Sequence, residues 1–224
     1  MDLAATLVSE GAAHGVVVAA REQTAGRGRR GAAWASPPGA GLYFSFIAKP
    51  ASMRGIALIT LAAGVGVRDG VVNATGLAPE LKWPNDLLVG RRKLAGILAE
   101  GHNLGSPDGA IVIGAGINVQ PAAYPDEVRA RATSIEGELG RAVDADLLLE
   151  AILNGLDARL TALAHDPGDI LQAWRAAAPT ANGTRVEWDG RHGVTSGIDD
   201  TGALLIRTSN HVERIIAGDI HWNL

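Results

Sequence analysis

The chain has 224 residues, 47% of them hydrophobic, and a formal net charge of −4. That is enough apolar material to bury a full core in one domain, or in one domain plus a small appendage. With no cysteine there are no disulfides or thiolate metal sites, the six histidines lack ligand spacing so that no metal site is expected, and the acidic balance disfavours nucleic acid as a partner.

In chain order, Met1-Asp2-Leu3 carries neither the basic region nor the cleavage site of a signal peptide. No window approaches the roughly 20 apolar residues of a membrane span, so a cytoplasmic protein with no membrane partner is expected. Residues 3–13 have helical apolar spacing that stops at Gly11 or Gly15, and Val16 to Ala20 reads as a buried strand. Gly26-Arg27-Gly28-Arg29-Arg30-Gly31 follows; its glycines let the backbone approach a ligand and its arginines offer forked donors, a combination suited to phosphate. Trp34 brings a flat apolar face that so small a loop gives nothing to rest on. Pro37-Pro38-Gly39 then turns the chain into an alternating strand at 42–48.

Residues 53–73 read as a mostly buried helix whose continuity is weakened by Gly64, Gly66 and Gly70. Glu80 to Trp83 is extended, because Pro84 disfavours the helical region before it. Asn85-Asp86 turns into a strand at 87–89, a hairpin at Gly90-Arg91-Arg92 follows, and Leu94 to Glu100 returns. After a polar loop at 101–109, Ala110 to Val119 is an apolar strand expected to kink at Gly114-Ala115-Gly116, and 121–141 looks irregular. Asp144 or Asp146 caps a helix with a core stripe of Leu148, Ile152, Leu156, Leu160 and Leu163, and Asp166-Pro167 opens a shorter helix carrying Trp174. Short alternating runs at 184–188, 191–196, 203–207 and 212–216 read as a small barrel, which divides the chain into 1–178 and 179–224.

Only Lys49, Lys82 and Lys93 are lysines among the 20 basic residues. A general preference for arginine is a matter of codon composition, yet two of the three lysines fall in one short segment. A site that needs a compact point charge cannot accept a planar fork. The arginine loop, 82–86, 93–96 and 114–119 are all strand ends or hairpins with glycine or proline fixing the backbone. Together they can hold a triphosphate on cations, stack a base on Trp34, read it with an amide and leave an apolar slot for a second substrate. Asp86 is open between a turn residue and a site residue. Trp83 and Trp174 read as core, and His192, His211 and His221 as surface.

QTAGRGRRG, KWPNDLL, KLAGILAE and GAGINV, in this order, resemble the biotin protein ligases, and the tail with GIDDTGALLIR and AGDI resembles their C-terminal domain. The resemblance implies an α+β fold: a mixed or antiparallel sheet flanked by helices, class II synthetase-like, over 1–178, and an SH3-like β-barrel over 179–224. It implies a two-step reaction, in which biotin and MgATP give biotinyl-5′-AMP and pyrophosphate, and a lysine of a biotin carboxyl carrier domain of an acyl-CoA carboxylase then takes the biotinyl group. It assigns Gln23, Gly26, Arg27, Gly28 and Arg29 to biotin's ureido group and carboxylate. Arg27, Arg29 and Arg30 would hold phosphates and shield the adenylate from water, and Trp34 would stack on adenine. Lys93 would bridge carboxylate and α-phosphate, and Lys82 would sit on the phosphates, so that Lys93, Arg29, Lys82 and Arg27 carry the catalysis. Asn85 and Asn118 would serve the nucleotide, and Gly96, Leu98, Gly114 and Gly116 would wall the biotin slot.

Two departures from the family pattern accompany the resemblance. The chain begins too late for a DNA-binding helix-turn-helix, so a ligase without repressor function is expected. It also begins after the strand whose Ser/Thr-Thr-Asn-like turn bonds the ureido group, which implies biotin binding weaker by about 0.5–3 kcal/mol than in an upstream-extended chain. A lipoate or octanoate ligase, a non-catalytic binding module and a relative that has lost turnover are the competing readings. Exposed strand edges leave side-by-side pairing of two chains open.

Overall fold

The computed structural model describes residues 1–50, 52–106, 108–122, 124, 126–218 and 220–222, the side chains of 126 and 127 aside. Six strands form the first sheet: β1 (Val17–Ala20), β2 (Gly41–Ala48), β3 (Glu80–Lys82), β4 (Asp86–Val89), β5 (Arg92–His102) and β6 (Ala110–Asn118). Their order is β1-β2-β6-β5-β4-β3, antiparallel at every pairing.

Successive side chains of a strand face opposite sides of a sheet, and here both sides are used. Phe44, Phe46, Ile111, Ile113 and Ile117 join the main core with α2 (Ile59–Thr75), α5 (Ala145–His165) and α6 (Pro167–Ala177). Ile47, Ala110 and Val112 belong to a second cluster, closed by Ala4 and Val8 of α1 (Asp2–Ser9). As the sequence indicates, Asp144 caps α5 by accepting from the N–H groups of Asp146 and Leu147, and Asp166 caps α6 by accepting from Gly168 N–H.

Four local expectations need correction. The glycines of α2 do not interrupt it: a Cβ on Gly66 would stand 2.7 Å from Leu156 Cα, and one on Gly70 2.3 Å from Ile152 Cα, so they let α2 and α5 cross backbone to backbone. With the turn before it, this helix (Ile56–Thr75) is in fact long and apolar enough to cross a bilayer, but its apolar residues are the centre of the main core. β1 is a sheet edge and not a buried strand; Val17 and Val18 are half-buried, Ala19 and Ala20 exposed. Gly114-Ala115-Gly116 does not kink β6, which is paired continuously with β2 and β5. Finally, 121–141 holds two short helices, α3 (Asp126–Arg129) and α4 (Ile135–Leu139), the latter capped by Ser134. One turn of helix is too short to leave a periodic signal.

The second sheet comprises β7 (Asn182–Trp188), β8 (Arg191–Ile198), β9 (Leu204–Arg207), β10 (Val212–Ile215) and β11 (His221–Trp222), in the order β10-β9-β8-β7-β11. Among the described residues β10 and β11 do not pair, so this barrel-type sheet is open between them. Asp219 of the AGDI segment, Asn223 and Leu224 lie outside the described residues. Val186, Trp188, Leu204 and Ile206 merge with the main core, and Trp83 Nε1 donates to Gly202 O at 2.9 Å, tying the first sheet to the second.

Candidate active site

A cavity of about 640 Å³ lies where the loop between β1 and β2, the β3–β4–β5 hairpins and β11 meet. Register builds one wall: Gly96 pairs with Gly116 and Leu98 with Gly114, so these four residues share one face of β5 and β6. Glycine here leaves room that other parts of the chain enter. A Cβ on Gly116 would stand 2.5 Å from Trp34 Nε1, one on Gly96 3.0 Å from Trp34 Cζ3, and one on Gly114 2.6 Å from Met1 Sδ.

Trp34 therefore does have a surface to rest on, across the sheet and not within its own loop. Trp34 N–H donates to Gly26 O at 2.9 Å, Gly28 N–H to Ala32 O at 2.6 Å, and Ser36 Oγ to Gln23 Oε1 at 2.8 Å, which folds the loop over the glycine wall. The indole Nε1 is buried and has no hydrogen-bond partner among the described residues.

Lys93 is held at both ends. Its backbone N–H donates to Arg131 O at 2.7 Å, its carbonyl accepts from Thr133 N–H at 2.9 Å, and its Nζ lies 2.6 Å from Asp86 Oδ1. Asp86 Oδ1 is buried with no hydrogen bond aligned on it among the described residues, so this contact is an ion pair. Asp86 is thus more than a turn residue: it aims the Lys93 ammonium, which also stands 5.3 Å from the Trp34 ring centroid. Lys82 pairs in register with Asp86, and its Nζ is 5.6 Å from the Trp222 ring centroid. Burial pulls the Lys82 pKa below its ordinary 10.5, Asp86 opposes that, and Lys93 adds to it.

Of the residues expected in the site, Gln23, Arg27, Gly28, Arg29, Trp34, Lys82, Asn85, Lys93, Gly96, Leu98, Gly114 and Gly116 line this cavity, whereas Gly26, Arg30 and Asn118 do not. A Cβ on Gly26 would meet Trp34 O at 2.4 Å, so this glycine is needed for the loop's own closure. Asn118 is buried, and its Nδ2 donates to Thr133 O at 2.9 Å and to Lys93 O at 3.4 Å; it reaches the site through the Lys93 backbone. Arg30 occupies a left-handed turn with φ 54°. Arg27 pairs with Asp2 at 2.6 Å and approaches Glu100 at 3.8 Å; Arg29 Nη1 donates to Asn85 Oδ1 at 3.4 Å, and Asn85 Nδ2 to Ile97 O at 2.8 Å.

Sequence reasoning missed Phe44, Arg131, Ile220 and Trp222 in the lining, and His221, read as plain surface, is an exposed residue on its rim. Arg131 lies in the segment read as irregular, and nothing in the alternation of the tail distinguishes Trp222 from a core residue. The described lining residues include five cations, Arg27, Arg29, Lys82, Lys93 and Arg131, and two carboxylates, Asp2 and Asp86, in a chain of net charge −4. Such a local excess of cations suits a polyanion beside an apolar, glycine-walled slot.

Known proteins resemble this chain over most of its length. The model of the Biotin/lipoate A/B protein ligase family matches residues 4–118, and that of the Biotin protein ligase C terminal domain matches 192–221. The bifunctional ligase/repressor BirA of Bacillus subtilis (strain 168) is 34% identical over 227 residues, covering 96% of this chain and 68% of that protein. The biotin–[acetyl-CoA-carboxylase] ligase of Mycobacterium tuberculosis is 34% identical over 228 residues, covering 98% and 83%. The biotin protein ligase from Aquifex aeolicus, solved in complex with biotin and ATP, superimposes with a TM-score of 0.83 at 27% identity over 97% of this chain and 93% of that one. This chain belongs to the biotin/lipoate A/B protein ligase family and, within it, to the biotin protein ligases.

Proposed function

We propose that this chain activates biotin with MgATP and transfers the biotinyl group to a lysine of a biotin carboxyl carrier domain of an acyl-CoA carboxylase. The observation that carries this reading is the meeting, at Lys93, of a glycine-walled slot with a cluster of cations. Relatives named biotin–[acetyl-CoA-carboxylase] ligases support both the reaction and the acceptor class.

In the first step a biotin carboxylate oxygen attacks the α-phosphorus, the bond to the bridging oxygen breaks, and pyrophosphate leaves. Negative charge grows on the α-phosphate, where the Lys93 ammonium is aimed by Asp86; Lys82, Arg29 and Arg131 face the departing phosphates. In the second step the carrier amine attacks the acyl carbon, AMP leaves and the amine loses a proton. No covalent enzyme intermediate is needed, so the chain contributes positioning and charge stabilisation. Trp34 and the arginine loop close over the adenylate and exclude water. Magnesium enters with the nucleotide. Residues 1–178 act as the catalytic unit and 179–224 as the unit that closes its β11 side; the open edge of β1 is the strand along which two chains would align.

The test is transfer. Incubated with MgATP, an apo carrier domain and biotin, lipoate or octanoate in turn, the chain is expected to add mass to the carrier lysine only with biotin. Labelling by lipoate or octanoate instead would move the chain to the other branch of its family, and labelling by none would make it a binding relative.

A further inference from the structure

We infer that Trp222 is a positioning residue of the ligase site, its indole face holding the Lys82 ammonium toward the cavity without neutralising it. This rests on the function proposed above, which needs Lys82 as a free positive charge for phosphate. Trp222 pairs with Val186 of β7, so its ring is anchored by the second sheet and not by the arginine loop. The neighbouring Trp83 is tied to the same sheet through Gly202, so the strand end carrying Lys82 is gripped twice. Asp86, the carboxylate beside Lys82, is engaged by Lys93 at 2.6 Å, and among the described residues Lys82 forms no ion pair.

The chemistry favours an aromatic partner here. A carboxylate on Lys82 would compete with the incoming phosphate, whereas the negative face of an indole stabilises an ammonium and leaves its charge available. The second sheet thereby takes part in phosphate binding through one side chain.

Having only three lysines makes the contact measurable. After ¹³C-dimethylation, which keeps the charge, the Lys82 methyl signal is expected to be shifted upfield by the Trp222 ring, to keep much of that shift in Trp222→Phe and to lose it in Trp222→Leu. On unmethylated chains, Trp222→Leu is expected to weaken MgATP binding about 2- to 30-fold, the range of a cation–π contact, with Trp222→Phe restoring most of it. Biotin affinity should be unchanged in both. The inference is overturned if Trp222→Leu leaves the Lys82 signal and MgATP affinity as they were, if Trp222→Phe loses as much as Trp222→Leu, or if biotin binding falls in parallel. A wild-type chain that shows the shift and the MgATP effect yet forms no biotinyl adenylate would count against the ligase reading alone.

Discussion

At the scale of single residues, the two lysines of the cavity differ in their ion pairing. Both ammonium groups stand beside an indole, Lys93 beside Trp34 and Lys82 beside Trp222, but among the described residues only Lys93 is also paired with a carboxylate, Asp86. Burial lowers the Lys82 pKa from 10.5, with Asp86, Lys93 and Trp222 as the groups facing it. The folded chain therefore gives up this proton before the unfolded chain does, and between the lowered value and 10.5 stability rises with pH. Under the proposed function, phosphate binding by Lys82 would have the opposite dependence, since the ammonium is fully present only below the folded-state pKa. MgATP affinity is expected to fall on the alkaline side before the ordinary lysine range; in Lys82→Arg, whose planar fork lowers the affinity at every pH but stays charged, that alkaline fall is expected to be absent. Titrations of binding against pH check it; the same alkaline loss in both chains would assign it elsewhere. The sequence revealed Lys82 and Lys93 because lysine is rare here. It did not show where Asn118 and Trp222 stand, because their partners are distant in the chain, nor that the Asp86 side chain meets Lys93 across the β4–β5 hairpin.

At the scale of elements, the decisive contact is the crossing of α2 and α5. Helix propensity alone would favour alanine over glycine by about 1 kcal/mol. A Cβ on Gly70, however, would stand 2.3 Å from the Ile152 backbone, which cannot turn aside as a side-chain end would. Gly70→Ala is expected to destabilise by about 1–3 kcal/mol. Gly64→Ala, whose Cβ would meet Leu81 Cδ2 at an ordinary 3.4 Å, should be neutral or slightly stabilising. Denaturant titrations of the two variants measure the difference, and equal stabilities would refute the close-crossing account. The long elements and the Asp144 and Asp166 caps were legible, since periodicity and cap chemistry are local. The same glycines read locally as weaknesses, in α2 as a break and in β6 as a kink, because the sequence does not show which backbone comes close. β1 was misplaced for a related reason: an apolar run of five residues does not tell an edge from a centre.

At the scale of the whole molecule, the site is a product of topology. Gly96 and Gly116 become neighbours only when β5 pairs with β6, the arginine loop covers them only because β1 and β2 join at one edge, and Trp222 arrives from the second sheet. Sequence motifs located the pieces on the first sheet, and the barrel-like texture located the second. The wall contributed by β11 required the folded chain. The central claim is that Lys93 stabilises charge at the point where carboxylate and α-phosphate react. Pyrophosphate release without any carrier tests it most directly, with biotin, lipoate or no acid, in the wild-type chain and in Lys93→Gln. The account predicts release dependent on biotin and a loss of about 10²–10³-fold in Lys93→Gln, the scale of removing one preorganised donor from a developing charge. Release that needs no biotin, or a Lys93→Gln chain as fast as the wild type, would contradict it.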